Sequence, residues 1–167
     1  MDTRVGKTPS IDAAYLHEFV GIVDQAAERL RRISDADAAR KPAPGKWSRK
    51  EIIGHLIDSA ANNHVRFVRA QFLDGLVFAG YEQDKWVAIV NYQSRPWQEL
   101  VALWQLYNHH IAHIMATADP SAVDRPQTSH NFDDIAFKPV PRDQPSTLGY
   151  FMRDYVDHLE HHLRQIL

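Results

Sequence analysis

The sequence predicts an all-α fold, a four-helix bundle, and two observations lead to this class. Four segments of roughly 20 residues carry apolar side chains at three- and four-residue steps, the spacing of one face of an α-helix. Strand signals are few, and neither an internal repeat nor a low-complexity segment is evident. Because each helix has an apolar stripe that other helices must cover, a bundle is the most economical arrangement.

The first two predicted helices have clear start signals. The first runs from about Ile11 to Ile33, with Ser10 as its N-cap. The second begins at Ser48, where Ser48-Arg49-Lys50-Glu51 has the form of a capping box, and continues to about Phe72. Both segments therefore have their starts specified locally, independently of how the helices pack.

The third and fourth predicted helices complete the bundle. The third follows Ser94-Arg95-Pro96, because proline is tolerated in the first turn of a helix, and ends near Asp119-Pro120. The fourth starts at Ser146-Thr147 and continues to the C-terminus. Its apolar side chains recur at helical spacing as far as Ile166.

Two connecting segments are less well determined. Residues 84–90 are compatible with a short helix or a short strand, and so few residues do not decide between them. Residues 121–145 are rich in Pro, Asp, Ser and Gln, and are predicted to form a loop with a short hairpin around Phe132 to Val140.

Length and composition limit the possible functions. The 167 residues are predicted to form a single domain, 1–167, large enough to bury a core without disulfides. Since the chain has no cysteine, a catalytic thiol and a thiolate metal site are both excluded, which leaves imidazole and carboxylate as the strong metal ligands. The net charge is −2, and no basic face is evident, so nucleic acid is not expected as a partner.

The expected location is the cytoplasm. Met1–Gly6 contains no apolar segment of the kind a secretory signal requires, and no apolar run is long enough to span a bilayer. We therefore expect a soluble protein that acts on a small-molecule substrate, without a membrane partner.

The most informative pattern is the pair His158 and His162 on the last predicted helix. Residues four apart lie about 40° apart around a helix axis and roughly 6 Å apart along it, so both imidazoles can point at one metal ion. His162 falls inside the apolar arc of this helix and His158 at its edge, whereas His161 faces the opposite side, toward solvent or a partner subunit. Two ligands bind weakly, so a third is expected from elsewhere in the chain.

A polar ridge on the second predicted helix is the candidate source of that ligand. Its residues fall within about 60° of one another beside the apolar arc, and they are His55, Ser59, Asn62 and Arg66. A solvated surface would more typically carry Lys and Glu. The ridge can supply one imidazole ligand, small polar groups that bind the substrate or orient the ligands, and a cation for an anionic group of the substrate.

Other histidines have simpler explanations. An isolated HxxxH pattern most often places two histidines at the surface. His64 and His110 fall inside apolar arcs and are expected to lie in the core or to line a pocket, which makes His110 a further candidate for substrate contact. The three histidines of the stretch 109–113 point in different directions around their helix.

Two of these stretches resemble signatures of a known family. The segment Trp47–Ser59 with its Gly54-His55-Leu56-Ile57-Asp58-Ser59 core, followed by Asn62 and Arg66-Phe67, resembles the first signature of the DinB-like proteins, particularly their YfiT branch. The closing His158-x-x-x-His162-Leu163-x-Gln165-Ile166 is similar to the signature of their last helix. The segment Tyr81–Trp86 is also similar to that branch, whereas the third helix and residues 121–145 depart from it.

The resemblance implies a bundle with up-down-down-up topology, commonly paired as a homodimer. It also implies one divalent metal ion held by His55, His158 and His162. Relatives include transferases that use low-molecular-weight thiols, such as bacillithiol, mycothiol or glutathione, and others that are known only as metal-dependent hydrolases. Which residues perform the chemistry does not follow from the resemblance.

The expected function is that of a metal-dependent enzyme that transfers a low-molecular-weight thiol, and two alternatives remain open. A metal held by imidazoles has coordination positions free to activate a thiol for transfer or a water molecule for hydrolysis, and zinc, nickel and iron all suit such ligands. Hydrolysis would benefit from a carboxylate base. Asp58 is predicted to point away from the site, although Asp84, Asp133 or Asp134 in the loops could approach it. The third possibility is a non-catalytic bundle that the metal stabilises.

Overall fold

Four long helices form the bundle in the computed structural model, which describes residues 10–167. They are α1 (Ala13–Arg31), α3 (Arg49–Arg69), α5 (Trp97–Thr117) and α8 (Leu148–Ile166). The connections contain α2 (Asp35–Ala39), α4 (Gln83–Val90), a 3₁₀ turn (Tyr92–Ser94), α6 (Pro120–Val123) and α7 (Phe132–Ile135). In the described residues there is no strand, and two isolated bridges pair Leu76 with His130 and Gln127 with Ser146. The N-terminal stretch Met1–Gly6, in which no secretory signal is predicted, lies outside the described residues.

Contacts between the long helices establish their directions. Helices α1 and α5 are antiparallel, with contacts of Trp97 with Leu30 and of Gln105 with Asp24, and α3 and α8 are antiparallel, with contacts of Arg49 with Ile166 and of Phe67 with Phe151. Helices α3 and α5 are parallel, with contacts of Lys50 with Arg95 and of His64 with His110. Helices α1 and α8 are also parallel, with contacts of Arg29 with Leu167 and of Arg153 with Tyr15. The bundle therefore has the up-down-down-up order that the family resemblance implied.

Local signals fix where the helices start. The predicted capping box is present, because the Ser48 hydroxyl accepts from the Glu51 N–H at 3.2 Å and the Glu51 carboxylate accepts from the Ser48 N–H at 2.7 Å. The fourth helix begins as predicted, with the Thr147 hydroxyl accepting from the N–H of Tyr150. The first helix begins later than predicted, because the carboxylate of Asp12 caps it instead of Ser10.

The connections correct one expectation and decide another. Residues 84–90 belong to helix α4. The hairpin expected around Phe132 to Val140 is absent, since this stretch starts with the short helix α7. The backbone N–H groups of Phe137 and Lys138 donate to the carboxylate of Asp154, at 2.8 and 2.7 Å, and so need no partner strand.

The core lies where the four long helices meet. Its largest fully buried side chains include Trp97, Trp104, Phe19, Phe67, Leu100 and Ile111. At Gly54 on α3 the core approaches the backbone itself, because a Cβ atom there would overlap the ring of Tyr92. This glycine lets the 3₁₀ turn lie directly on α3, beside the residue that follows, His55.

A transmembrane helix is not found in the described part of the chain: none of its helices combines the length and the hydropathy that a bilayer span requires.

Candidate metal centre

Three histidines converge where α3 packs against α8. His55 comes from α3, and His158 and His162 lie one turn apart on α8. One ring nitrogen from each lies within 4.8 Å of the other two, and the Nε2 atoms of His55 and His158 are 3.2 Å apart. The antiparallel packing of the two helices thus brings together residues that are about 100 positions apart in sequence.

Burial keeps the three imidazoles uncharged. His55 is only 1% exposed, and burial, with a smaller contribution from neighbouring His162, lowers its pKa to about 3. Burial likewise lowers the pKa of His158 to about 3, and it also lowers the pKa of His162. Neutral imidazole is the form that binds a metal ion, so each ring has a lone pair available near neutral pH.

The donor set fits a divalent transition metal. Bonds of about 2.0–2.1 Å from an ion to imidazole nitrogens place those nitrogens roughly 3–3.5 Å apart, which agrees with the 3.2 Å between His55 and His158. Among the described residues, no carboxylate joins the three histidines as a fourth member of the group. Three protein ligands with a position left open are typical of catalytic sites, whereas structural sites are usually closed by four.

Neighbouring side chains hold the rings in place. His162 Nδ1 lies 2.9 Å from the side-chain oxygen of Gln165, one turn further along α8. The ring of Trp47 packs against His55 with 5.2 Å between centroids. Nδ1 of His55 is buried without a hydrogen-bond partner in the described part of the chain. His55 is therefore oriented by packing, and His162 by a hydrogen bond.

A cavity of about 540 Å³ opens beside the triad. Helices α3 and α8 form its floor, and the connections before α4 and after α7 form its rim. Its lining residues are His55, Ser59, Asn63, Arg66, Gly80, Tyr81, Gln83, Asp134, Ile135, Ala136, Phe137, Phe151, Asp154, Tyr155, His158, His161 and His162. We call it the main cavity.

A second cavity, of about 590 Å³, reaches the triad from another direction. It lies between the stretch before α3, the start of α4 and the end of α8. Its lining residues are Pro42, Gly45, Lys46, Trp47, Ile52, Gln83, Asp84, His162 and Gln165. His162 and Gln83 line both cavities. We call this space the side cavity.

Two of the four predicted substrate-contacting residues lie in the main cavity. Ser59 and Arg66 line it together with the triad. Asn62 does not, because its side-chain amide donates to the carbonyl of Asp58 and it lines a neighbouring cavity of about 500 Å³. Asn63 lines the main cavity instead. Asn63 is buried, with 6% of its surface exposed, and lies on the side of the ridge nearer the core.

His110 lies away from the triad. It is exposed on α5, with its ring 4.9 Å from that of His64 on α3, and it does not line the main cavity. His64 is half-buried. His161, predicted to face solvent or a partner, is exposed, yet its ring also contacts Phe137 at the rim of the main cavity.

Several lining residues were not predicted to contact the substrate, among them Tyr81, Asp154 and Phe137. Tyr81 belongs to the segment that resembled the YfiT branch, a signal that could have identified it. Burial, together with the charge of Asp58, raises the pKa of its hydroxyl to about 12. Asp154 lies one turn before His158 on α8, at the spacing of the histidine pair. Phe137 covers the rings of His158 and His161, and only tertiary packing places it there.

The acidic residues near the site are mostly engaged. Asp58 is not among the residues that line the main or the side cavity, and it accepts from the hydroxyl of Tyr92 at 2.5 Å. Burial raises its pKa. Burial also raises the pKa of Asp154, although both of its oxygens accept backbone N–H groups. Asp134 lines the main cavity and Asp84 the side cavity, while Asp133 pairs with Arg142.

Comparison with known proteins gives consistent matches. The model of the DinB superfamily matches residues 19–166. A Bacillus mycoides (strain KBAB4) protein named "Putative metal-dependent hydrolase" is 23% identical over 107 residues, which span 62% of this chain and 61% of that protein. The structure of YfiT from Bacillus subtilis, described as "a probable metal-dependent hydrolase with an unusual four-helix bundle topology", superposes with a TM-score of 0.71 at 18% identity. That superposition covers 96% of this chain and 88% of YfiT.

Proposed function

The chain belongs to the DinB superfamily, and from that premise we propose that it is a metal-dependent enzyme that transfers a low-molecular-weight thiol to an electrophilic small molecule. His55, His158 and His162 hold one divalent ion, for which zinc, nickel and iron are the candidates. A bound ion would supply Lewis acidity, which would favour the thiolate form of a thiol beside the three histidines.

The observation that carries this proposal is that His162 borders two cavities. The main cavity is about 540 Å³ and the side cavity about 590 Å³, and each is within the size range of small-molecule sites. A transfer reaction needs two organic molecules at one centre, whereas hydrolysis needs one and a water molecule. The two cavities meet at His162, one of the three proposed metal ligands, and this arrangement favours thiol transfer over hydrolysis.

The polar groups of this chain bind and orient the reactants. In the main cavity, Ser59 and Asn63 offer a hydroxyl and an amide on the same face of α3 as His55. In the side cavity, Trp47 and Lys46 offer an aromatic surface and a cation. Phe137 covers His158 and so restricts access of water to the triad from that side.

The reaction itself is a substitution at an electrophilic carbon. The thiol releases its proton to solvent, and its sulfur forms a bond to the carbon. The leaving group departs with the electron pair of the bond that breaks. Because the proton leaves before the carbon–sulfur bond forms, no carboxylate base is required, which agrees with the engagement of both Asp154 oxygens.

The test combines metal analysis with a thiol screen. Protein purified without a nickel column is expected to hold about one ion per chain. The metal-loaded protein is then assayed with a chromogenic aryl halide and a panel of thiols that includes bacillithiol, mycothiol and glutathione. We expect thiol-dependent turnover that is lost in His158→Ala and kept in His110→Ala, an exposed histidine outside both cavities.

Hydrolysis is the second candidate, since both named relatives are described as metal-dependent hydrolases. Asp134 at the rim of the main cavity could serve it as a base. Ester and amide substrates assayed without any thiol separate the two reactions, because turnover under those conditions contradicts transfer. If chelation lowers the melting temperature and no substrate is turned over, the metal only stabilises the bundle.

A further inference from the structure

Arg66 is a buried cation inside the main cavity. It lies on α3, on the same side of the helix as His55 and Ser59, and is only 7% exposed. It also lines the neighbouring cavity of about 500 Å³, so its guanidinium stands between the two spaces. A charge taken out of water is costly unless a group of opposite charge compensates it.

In the described part of the chain, no group of opposite charge pairs with Arg66. The hydrogen bond that Arg66 makes is a single one, from Nη2 to the carbonyl oxygen of Ala79. The guanidinium also lies 5.9 Å from the centre of the Phe151 ring. No carboxylate among residues 10–167 pairs with it, and burial accordingly lowers its pKa. An arginine has five N–H donors, so most of them remain available to a ligand.

Lys50, the other buried cation of α3, shows the contrast. It is 3% exposed, and its ammonium group pairs with Asp35 at 2.9 Å and donates to the carbonyl of Arg95 at 2.9 Å. Lys50 is thus neutralised within the fold and anchors α2 and the start of α5. The same helix therefore carries one buried cation with a structural partner and one without.

Two buried acids, Asp154 and Asp58, are engaged elsewhere. Asp154, which lines the same cavity, accepts two backbone N–H groups, and Asp58 accepts the hydroxyl of Tyr92. Arg66 is therefore the cation of the main cavity that a ligand can reach.

We propose that Arg66 binds an anionic group, a carboxylate or a phosphate, on the small molecule that reacts at the histidine triad. This inference rests on the proposed function for the triad, although binding of the anion alone does not. Arg66 and His55 are eleven residues apart on α3, which corresponds to roughly 16 Å along the helix axis. The ligand is therefore elongated, with its anionic group at one end and its reactive group at the other. The planar guanidinium can hold either oxyanion through paired hydrogen bonds.

The first experiment uses metal-free protein, so that its result is independent of the proposed reaction. Three probes with six-carbon chains, hexanoate, hexyl phosphate and hexanol, are titrated while the Arg66 Nε–H resonance and the backbone amides are followed by NMR. We expect hexanoate or hexyl phosphate, but not hexanol, to shift Arg66 Nε–H together with the amides of Ser59 and Tyr81. Whichever anion binds more tightly identifies the group.

Two variants then test the role of the charge. Arg66→Gln is expected to weaken binding of the anion by at least about tenfold and to leave the response to hexanol as in the wild type. Arg66→Lys keeps the positive charge and is expected to restore part of the affinity for the anion. Arg69→Gln, at an exposed arginine one turn further along α3, is the matched control and should bind as the wild type does.

Two results would overturn the inference. One is equal binding of hexanol and both anions by the wild type, a measurement that does not depend on any variant folding. The other is a set of shifts confined to Val65 and Trp86, which line the neighbouring cavity but not the main one. If the anions bind as expected and no thiol transfer is observed, the proposed function fails while the anion site stands.

Discussion

Helices α5 and α8 carry equal numbers of histidines but use them differently. On α5, His110 and His113 are exposed and His109 is half-buried, where it pairs with Asp24 at 2.7 Å. On α8, His158 and His162 are half-buried and face the buried His55, and burial lowers the pKa of both. Histidine content is therefore a poor guide to a metal site in this protein.

The difference comes from spacing and from the facing helix. The α8 pair is four residues apart, so both rings lie on one face, and α3 presents His55 and small polar residues to that face. The α5 histidines are spread around the helix, and the face of α5 that points inward carries Trp104, Leu100 and Ile111. The inward face of α5 is thus apolar, whereas α3 and α8 present polar side chains to the main cavity.

The largest expected effect is on metal binding. His162→Ala removes one of three imidazoles and should weaken binding of zinc by at least about 100-fold, because two ligands remain. His113→Ala on α5 should leave the affinity and the stoichiometry of one ion per chain unchanged. Competition with a chromogenic chelator measures both. Equal losses in the two variants would contradict the distinction between α5 and α8.

The next effect concerns stability in acid. In metal-free protein, the folded-state pKa values of His55 and His158 are about 3, below the 6.5 of an exposed imidazole. Between these values the unfolded state binds protons that the folded state does not, so the stability present above pH 6.5 falls as the pH is lowered. Each of the two contributes at most about 1.4 kcal/mol per pH unit.

Urea denaturation with a chelator present, from pH 7.5 to 5.0, measures this loss. His55→Gln should flatten the dependence of unfolding free energy on pH, and His110→Gln should leave it as in the wild type. Parallel slopes for all three proteins would show that burial of the triad does not control stability in acid.

The smallest effect is expected at His109. Its pair with Asp24 is 40% and 45% exposed at the two side chains, and solvent and salt weaken such interactions. Asp24 also keeps a hydrogen bond from Gln105. His109→Ala should therefore change the unfolding free energy by no more than about 1 kcal/mol. A loss as large as that of a core truncation would mean that α5 uses its histidines structurally.

Local signals predicted much of the bundle. The capping box at Ser48 and the apolar periodicity of the four long segments depend on neighbours within a turn or two, so the sequence contains them directly. Angular positions around each helix also identify the HxxxH pair on α8 and the ridge on α3, which the structure places against each other. These positions do not show which residues of the ridge face the cavity, and for that reason Asn62 was named where Asn63 lines the cavity.

The rest of the site depends on the path of the connections. Tyr81 and Phe137 reach the main cavity from segments without helical periodicity, so their positions follow from tertiary packing. The expected hairpin around residues 132–140 failed for the same reason. Asp154, a residue of α8, satisfies the backbone of Phe137 and Lys138, and no pattern within the loop itself indicates this.

The parallel arrangement of α3 and α5 has a consequence for how such a protein can change. A chain that leaves one end of a helix and must start the next helix at the opposite end has to travel the full length of the bundle. In this protein the connection between α3 and α5, residues 70–96, runs along the main cavity and contributes Gly80, Tyr81 and Gln83 to its lining. Surface crossings accept insertions and substitutions more readily than packed helices do. Changes in this connection can therefore accommodate new substrates, while α3 and α8, which carry the three histidines, stay the same.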